Sequence, residues 1–555
     1  MKNLLSIILI LTLFFSCKAQ ENNTVNSSNF SDETVSKKPK LIVGIVVDQM
    51  RYDYLTRFAS KFGEGGFMRL INEGFNCKNN HFNYVPTYTG PGHASVYTGT
   101  TPKYHGIISN NWYDKEIKAS VYCAQDDEVN SVGTENSAGK MSPQRMLTTS
   151  FADENRLFTQ MRGKTIGIAL KDRGAILPAG HTANAAYWFH GKDEGVWITS
   201  SYYRNDLPKW VTDFNASDTV EAYLNVWNTS LPIESYVESG DDENNFERGF
   251  KGKSSATFPY DLAALSAENG GFDILKETPH GNSITLDFAL AALKGENLGQ
   301  DDDTDVLAIS FSSTDYVGHN FGVNSKEVED TYIRLDKDLE RLLNTLDSYV
   351  GEGEYTVFLT ADHGAVNVPA YLQSVNVPAG YLDYNSRKEL FQKFLMDTYG
   401  TTDLIENVSN NQIFLNKAKL KELDLNIHDV EQALVDEQIS YPNIAKVYTA
   451  TTMNSTNFTT GIEVLLQNGY NQKRSGDVIV VDDIAHIAYS RTGSTHGSGL
   501  NYDTHVPLLF FGAGIQHGET FDKTVIPDIA PTISALLGIS FPNGATGRPL
   551  GFILN

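Results

Sequence analysis

Residues 306–319 read VLAISFSSTDYVGH, a short apolar run followed at once by hydroxyl, carboxylate and imidazole side chains. Further apolar runs of this kind, rich in β-branched residues, lie at 41–47, 165–170, 356–359 and 506–511. Continuous apolar runs of this length are typical of parallel strands that are covered on both faces. Helical patterns lie between them, the clearest at 328–346, where the apolar residues fall on one stripe. The alternation predicts an α/β fold, with a central, mostly parallel sheet flanked by helices and with cap-like insertions.

Charged and imidazole side chains follow four of the five predicted strands. They are Asp48, Lys171, Arg173, Asp315, His319, Asp362 and His363. Because the carboxyl ends of parallel strands form the ligand crevice of an open sheet, we expect these side chains to converge on one edge. Taken singly, each is also typical of a helix cap or a turn. Aspartate and histidine are ligands that suit zinc, and five of them exceed one tetrahedral shell, so the pattern indicates two metal ions.

A candidate nucleophile lies in residues 86–93, PTYTGPGH. The glycines and prolines predict a tight turn before a short helix. Thr89 is expected just before that helix, where free backbone N–H groups and the positive end of the helix dipole favour an anion. An ordinary helix N-cap is the alternative role for Thr89, and the pattern alone leaves both open.

The composition excludes some classes of partner. The chain has 555 residues, 68 acidic and 44 basic, and a formal net charge of −24. A surface this acidic repels polyanions, so we expect no nucleic-acid partner. Beyond the N-terminus, no apolar stretch approaches the roughly 20 residues that span a bilayer, so we expect no stable membrane span.

The N-terminal residues are typical of an export signal. Lys2 precedes an apolar run, and cleavage after residue 19 would leave Gln20 at the new N-terminus. A lipid anchor at Cys17 is the alternative. Both endings predict a periplasmic or secreted protein. In an oxidising compartment, Cys77 and Cys123 form either a disulfide or two free buried thiols.

The ordered motifs resemble those of the alkaline phosphatase superfamily. Within it, they are most similar to the secreted bacterial phosphomonoesterases of the PafA type, relatives of the nucleotide pyrophosphatase/phosphodiesterases. The diesterases carry Pro-Thr-x-Thr-Phe-Pro-Asn-His where this chain has PTYTGPGH, and the resemblance extends to 493–497 (GSTHG), 526–532 (IPDIAPT) and 547–550 (GRPL). It implies a zinc-dependent alkaline phosphatase of broad substrate range that hydrolyses phosphate monoesters through a phosphothreonine intermediate.

The resemblance also implies two Zn²⁺ ions and their ligands. One ion contacts the nucleophile Thr89 and is held by Asp48, Asp362 and His363. The other is held by Asp315, His319 and His496. Spacing alone does not select His496 from the remaining histidines.

Other polar residues near the motifs receive roles in the same way. The resemblance implies that Asn110 donates to a phosphate oxygen, with Asn111 as the alternative by one position. The histidines expected to be structural or at the surface are His93, His105, His486 and His505.

Lys171 and Arg173 bear on the choice between a monoester and a diester. Alternate spacing at a strand end would point both side chains at the third free oxygen of a monoester, with Asp172 turned away. PafA-type enzymes have a Lys-x-Arg pair there, whereas diesterase relatives tend to have apolar surface. A phosphomonoesterase is therefore the leading hypothesis. The alternatives are a phosphodiesterase or nucleotide pyrophosphatase with the same two zinc ions, and an inactive binding protein that kept the fold.

The chain is expected to divide into seven segments. They are a signal peptide at 1–19, a flexible linker at 20–37, a catalytic core at 38–178, 276–365 and 481–555, an insertion at 179–275 and a cap at 366–480. The expected partners are small phosphate monoesters, and a monomer is favoured.

Overall fold

The computed structural model describes residues 38–555. The predicted signal peptide and linker lie outside the described residues. Lys38–Asn555 form one unit by their internal contacts. Among these residues we find no helix with the length and apolar character that a bilayer crossing needs.

The apolar runs of the sequence become the strands at the centre of the molecule. Each predicted run overlaps an observed strand, with ends that differ by at most two residues. In chain order, the strands are β1 Leu41–Val47, β2 Phe75–Cys77, β3 Asn80–His81, β4 Asn111–Asp114, β5 Ala119–Tyr122, β6 Ser131–Val132, β7 Thr165–Ala169, β8 Ala185–His190, β9 Val196–Ser200, β10 Val226–Trp227, β11 Tyr260–Asp261, β12 Asp305–Phe311, β13 Tyr355–Thr360, β14 Gly380–Tyr381, β15 Ile405–Ser409, β16 Gln412–Leu415, β17 Ile444–Thr449, β18 Val478–Asp482, β19 His486–Ile487, β20 Leu508–Gly512, β21 Gly518–Thr520 and β22 Thr524–Val525.

The central sheet has ten strands within the described residues, in the order β21-β2-β20-β13-β1-β12-β7-β8-β9-β6. The five strands from β13 to β8 run parallel, which confirms the predicted α/β fold with a parallel centre. The strand predicted at 506–511 is different, because β20 runs antiparallel to β13. A continuous apolar run indicates a strand that is buried on both faces. Burial does not depend on strand direction, so the run could not show that β20 is antiparallel.

Helices separate the strands and cover the sheet. Every residue of β1, β12 and β13 is buried, so both faces of the sheet centre are covered. The helices are α1 Tyr54–Arg57, α2 Phe67–Glu73, α3 Thr89–Thr98, α4 Pro102–His105, α5 Phe151–Phe158, α6 Asp172–Ala179, α7 Lys209–Asn215, α8 Leu262–Leu265, α9 Pro279–Gly295, α10 Ser313–Phe321, α11 Lys326–Leu346, α12 Pro369–Ser374, α13 Tyr384–Tyr399, α14 Lys417–Glu422, α15 Ile427–Gln438, α16 Ala450–Ser455, α17 Gly461–Gly469, α18 Asn501–Thr504 and α19 Ile529–Leu537.

The segment 179–275 is not wholly an insertion. Its first two strands, β8 and β9, belong to the central sheet. The remainder packs against α11, where the indole N–H of Trp227 and the hydroxyl of Tyr236 both donate to the carboxylate of Asp330. The two sheet strands were not predicted, because most of this segment is polar and glycine-rich.

The cap has a sheet and an apolar core of its own. β15, β16, β18 and β17 form a four-stranded sheet, and side chains such as Leu395, Ile413 and Leu434 pack against it in a separate cluster. β14 pairs with β19 at the base of this unit, so the two ends of the cap lie side by side. The cap is thus built as a closed unit on the central fold.

Candidate functional site

Three strand ends bring buried acids together at the carboxyl edge of the sheet. Asp48 follows β1, Asp315 lies in α10 after β12, and Asp362 follows β13. β1 lies between β12 and β13, so these three carboxylates are neighbours. Each of the three residues is at most 3% exposed. The edge predicted from the sequence is therefore a crevice lined with carboxylates.

The first predicted ligand group has the geometry of a metal site. His363 Nε2 lies 3.5 Å from Asp48 Oδ1 and 3.5 Å from Asp362 Oδ2. All three atoms are buried and have no hydrogen-bond partner. Buried polar atoms without partners are costly, and two carboxylate oxygens facing an imidazole nitrogen fit a divalent ion with oxygen and nitrogen ligands.

The second predicted group lies beside the first. Asp315 Oδ1 is 3.2 Å from His319 Nε2 and 3.7 Å from His496 Nε2. The rings of His363 and His496 stack with centroids 3.4 Å apart, so Asp315, His363 and His496 also bring ligand atoms within 4.8 Å of one another. The structure thus brings all six predicted protein ligands into one centre.

The three histidines present the same nitrogen to this centre. The Nδ1 atoms of His319, His363 and His496 lie 2.7 to 3.0 Å from the carbonyl oxygens of Ser494, Gly364 and Thr87 respectively. A backbone acceptor on Nδ1 fixes the tautomer and leaves Nε2 free to bind a metal ion.

Thr89 is the first residue of α3 and not its N-cap, which is Tyr88. The Thr89 residue is 1% exposed. The side chain of Asn110 reaches the same turn, where its Oδ1 accepts a 2.7 Å hydrogen bond from the Gly90 N–H. Asn111 is exposed, in β4. Of the two asparagines considered, Asn110 is therefore the one beside the candidate nucleophile.

Lys171 and Arg173 do not alternate along a strand as predicted. β7 ends at Ala169, Lys171 is the N-cap of α6 and Arg173 lies in its first turn. Lys171 Nζ donates to Asp48 Oδ2 and Asp315 Oδ2, at 2.5 Å each. Burial alone would lower the pKa of Lys171, but the carboxylates of Asp315 and Asp48 raise it above its usual value.

One lysine does not balance three buried aspartates. Burial and the neighbouring Asp362 carboxylate raise the pKa of Asp48 well above its ordinary value, even with Lys171 beside it. The crevice therefore has a surplus of negative charge without further cations, which is consistent with a place for divalent metal ions.

Arg173 has a donor without an acceptor. Its Nη1 donates to the Tyr122 hydroxyl at 3.1 Å, while its Nε is buried and has no partner. Tyr122 in turn donates to the carboxylate of Asp172, which therefore faces this cluster and does not turn away. Next to Tyr122, the Cys123 sulfur borders Gly90, so the arginine lies near the turn of Thr89.

Two further buried polar residues belong to this centre, and Gln49 carried no recognisable sequence signal, whereas His93 ends the motif at 86–93. Gln49 has positive φ, its backbone N–H donates to Asp362 Oδ1, and its side-chain amide donates to Asp315 Oδ1. His93 Nδ1 lies 2.9 Å from the Thr89 carbonyl oxygen and 3.4 Å from Asp362 Oδ2. His93 has the structural role expected of it, and its position links α3 to the aspartate.

Close packing of α3 on the strand end after β13 explains one glycine of the nucleophile motif. A Cβ atom at Gly92 would collide with the carbonyl oxygen of Asp362. The two chain segments thus approach backbone to backbone, which fixes the distance between Thr89 and the Asp362 ligand.

Cys77 and Cys123 are both free and buried. The structure therefore supports the thiol alternative and not the disulfide. Burial raises the pKa of each thiol to about 12, so neither is a reactive thiolate at neutral pH.

A cleft of about 490 Å³ lies between the cap and the core, beside the centre. Tyr88 and His496 line one side of it, and apolar cap residues such as Ile462 and Leu466 line the other. Thr89 does not line this cleft. The cleft adjoins the wall of the metal-ligand crevice.

The fold and the two ligand groups define a member of the alkaline phosphatase superfamily. The model of the type I phosphodiesterase/nucleotide pyrophosphatase family matches residues 42–505. The chain belongs to this family.

Several characterised proteins are similar over nearly their full length. Alkaline phosphatase PafA of Elizabethkingia meningoseptica is 45% identical over 92% of this chain and 94% of its own. A Myroides odoratus protein named calcium-transporting ATPase is 44% identical over 93% and 94%. Alkaline phosphatase PhoV of Synechococcus elongatus is 42% identical over 99% of both chains.

The solved structures include a close match. The crystal structure of alkaline phosphatase PafA has a TM-score of 0.90 and 43% identity, over 93% of this chain and 99% of that one. A second structure of PafA carries substitutions at a threonine, an asparagine, a lysine and an arginine, spaced in sequence as Thr89 to Asn110 and Lys171 to Arg173 are here.

Proposed function

We propose that this chain is a metal-dependent alkaline phosphatase that hydrolyses phosphate monoesters, with Thr89 as the nucleophile and Zn²⁺ as the metal. The named relatives support the activity. The observation that carries the assignment to this chain is the set of unpartnered Asp48, Asp362 and His363 atoms, linked through His93 to the first turn of α3.

Two metal ions fit the ligands present. Asp48, Asp362 and His363 would hold one ion, and Asp315, His319 and His496 the other. When bound, such ions supply positive charge that lowers the pKa of an attacking hydroxyl and stabilises the leaving alkoxide. Thiolate ligands are absent from both groups, which fits a catalytic and not a structural zinc site.

The chain's own residues account for the rest of the reaction. The Thr89 oxygen attacks phosphorus, the bond to the alcohol oxygen breaks, and the phosphoryl group remains on Thr89 until water displaces it. The backbone N–H of Thr89 and the side-chain NH₂ of Asn110 are available to the phosphoryl oxygens, whereas the Gly90 N–H already donates to Asn110 and the Gly92 N–H to the Tyr88 carbonyl. Gly90 leaves space for that amide, because an added Cβ would stand 3.1 Å from its oxygen.

Arg173 supports the choice of a monoester. A monoester has three free oxygens on phosphorus, and the buried, unpartnered Nε of Arg173 is a donor available for the third. A diester carries an organic group on that oxygen and cannot use the donor in the same way. The substitutions at a matching lysine and arginine in PafA support a role for this pair.

The test compares p-nitrophenyl phosphate with bis-p-nitrophenyl phosphate. Arg173→Ala should lower kcat/KM for the monoester on the order of 10²-fold and leave the diester nearly unchanged. Arg162→Ala is the control, because this arginine is exposed and pairs only with surface groups. Equal losses on both substrates would overturn the monoester assignment.

Diester hydrolysis is the second candidate, because the matching family model is that of phosphodiesterases and nucleotide pyrophosphatases. A diester preference in the unmodified protein, unaffected by Arg173→Ala, would establish it. In either case we infer an exported protein that acts on small phosphate esters, on the basis of the N-terminal sequence and of the named relatives.

A further inference from the structure

The cap holds the chain on both sides of Asn110, the proposed donor to a phosphoryl oxygen. Asn410, in the turn between β15 and β16 of the cap, makes both contacts with its side chain. Its Nδ2 donates to the Asn111 carbonyl at 2.7 Å, and its Oδ1 accepts from the Ser109 hydroxyl at 3.3 Å. One cap residue therefore fixes the two residues that flank Asn110.

Asn110 has two further contacts, both with the core. Its carbonyl accepts from the Cys123 N–H at 2.9 Å, and its side-chain Oδ1 accepts from the Gly90 N–H at 2.7 Å. With the oxygen turned to Gly90, the NH₂ group is the part of the amide that is left for a phosphoryl oxygen. The direction of this NH₂ group depends on the backbone at 109–111, because the side chain starts from that backbone.

Other cap side chains hold the same stretch of chain. Arg474 Nη1 donates to the Gly106 carbonyl at 2.5 Å. The rings of Tyr113 and Phe414 meet edge to face, with centroids 5.2 Å apart. The cap thus holds this stretch at several points, and Asn410 makes the contacts nearest the phosphoryl donor.

The backbone of Asn410 makes its contact specific. Asn410 and the next residue, Asn411, both have positive φ, at 52° and 57°. Asn411 Nδ2 donates to Asp482 of β18 at 2.7 Å, and its Oδ1 accepts from the Tyr384 hydroxyl of α13 at 3.2 Å. Two adjacent asparagines with the same backbone conformation therefore bind different units, since Asn410 bonds to the core and Asn411 bonds within the cap.

We propose that Asn410 is a positioning residue for the phosphoryl donor Asn110. It touches no reacting atom, and it acts by fixing the backbone at 109–111 so that the Asn110 NH₂ group stays where a phosphoryl oxygen binds. A donor that is already in place needs no reorganisation when charge develops on that oxygen, and a misplacement of about 1 Å costs much of the rate. The inference rests on the proposed role of Asn110 in phosphate ester hydrolysis. It gives the cap a part in the reaction.

Asn410→Gly tests the proposal, because glycine accepts the positive φ and the change removes only the side chain. With p-nitrophenyl phosphate and the zinc-loaded protein, kcat/KM should fall about tenfold, against about 10²-fold for Asn110→Ala. Asn411→Gly is the matched control. It has the same backbone conformation, loses two side-chain hydrogen bonds in the same way, and should keep the rate of the unmodified protein.

A double-mutant cycle separates positioning from a general loss of structure. In the Asn110→Ala background, Asn410→Gly should change kcat/KM less than about twofold, because the group that it positions is gone. An undiminished loss in that background, or equal losses in Asn410→Gly and Asn411→Gly, would overturn the proposal. A slow Asn110→Ala protein beside an unaffected Asn410→Gly protein would overturn this inference alone. An Asn110→Ala protein with the unmodified rate would overturn the role of Asn110 as well.

Ser109→Ala makes the same test from the core side of the contact. It removes one of the two Asn410 hydrogen bonds without changing a residue of positive φ, so the test stays decisive if the glycine variant folds poorly. Its loss of kcat/KM should be smaller than that of Asn410→Gly and should disappear in the Asn110→Ala background. A loss that persists there would contradict positioning through Asn110.

Discussion

The crevice at the sheet edge and a second acidic group at the start of α11, made of Asp242, Glu247 and Glu327, each hold three carboxyl groups, but they differ in what faces them. All three aspartates of the crevice are buried, whereas only Glu327 is buried in the α11 group. In the crevice, Lys171 donates to Asp48 and Asp315, and the rings of His319, His363 and His496 lie beside the aspartates. At α11, Glu247 and Glu327 each keep a buried oxygen without any partner. Buried carboxylates need a compensating charge. The comparison teaches that a fold can supply a compensating cation at one centre, while at another it raises the pKa of the carboxyl groups so that they stay protonated.

Thr89→Ala should separate the two centres most sharply. Loss of the nucleophile should lower phosphomonoester turnover on the order of 10⁴-fold or more, because its contribution acts only in the reaction. Thr89→Ser keeps a hydroxyl and should retain much of the activity. Steady-state rates for the three proteins test this, and equal losses in both variants would contradict the nucleophile role.

Lys171→Met tests whether the crevice depends on its internal cation. Without zinc, the change leaves three buried aspartates facing no lysine, and it should reduce the free energy of unfolding by roughly 3–5 kcal/mol. With zinc bound, the metal ions compensate the aspartates and the loss should be smaller. Urea unfolding of both forms measures the difference. Lys164→Met is the control, since that lysine bonds a backbone carbonyl and no carboxylate; a similar loss there would remove the basis of the comparison.

The pH dependence of stability should report the α11 group. The folded pKa values of Glu247 and Glu327, about 10 and about 8, lie above those of an unfolded chain. The folded state then binds more protons, so this stabilisation is complete below about pH 4.5 and is lost as pH rises to the folded pKa values. Between pH 6 and 8 the slope is roughly 1.4 kcal/mol per pH unit for each proton.

Unfolding free energies of the unmodified protein and of Glu327→Gln at pH 6 and pH 8 test this slope. The variant has no carboxyl group at position 327 and should show a smaller slope. Titrating groups elsewhere contribute to both proteins and cancel in the difference. Parallel pH profiles in the two proteins would contradict the raised pKa of Glu327.

Glu247→Gln should have the smallest effect. At pH 8 an amide replaces a carboxyl group that burial already disfavours as an anion, so the protein should be unchanged or more stable by about 1 kcal/mol. Thermal melts at pH 8 measure this, with Glu243→Gln as the neutral control because that acid is exposed. A clear loss of stability in Glu247→Gln would show that the ionised carboxylate has a stabilising partner.

The sequence predicted the crevice better than it predicted its surroundings. Asp48, Asp315, Asp362 and His363 follow apolar runs, and parallel strands bring their ends together by geometry alone. His496 follows the whole cap in the sequence, so no local pattern connects it to these four residues. Only the family resemblance identified it as a metal ligand. The backbone of Gln49 has a positive φ, which lets its N–H and its side chain reach two of the aspartates. Glutamine has no preference for this conformation, so the sequence could not predict it.

The other wrong or absent predictions also have specific physical causes. Apolar composition does not encode strand direction, so β20 was expected to be parallel. Lys171 and Arg173 follow the end of β7, where a helix and not a strand sets their directions. The acids of the α11 group come from a polar loop and a helix 80 residues apart, and only tertiary packing makes them neighbours.

The pairing of β14 with β19 brings the two ends of the cap together, which bears on how the cap can change in evolution and in protein engineering. Chain segments that leave and re-enter a core side by side can be exchanged without moving the rest of the chain. The cap also has its own apolar core, so substitutions can accumulate in the cap without changing the residues at the edge of the central sheet. Relatives can therefore differ in this unit by insertion or replacement, and an engineer could transplant a cap between family members at 380–381 and 486–487.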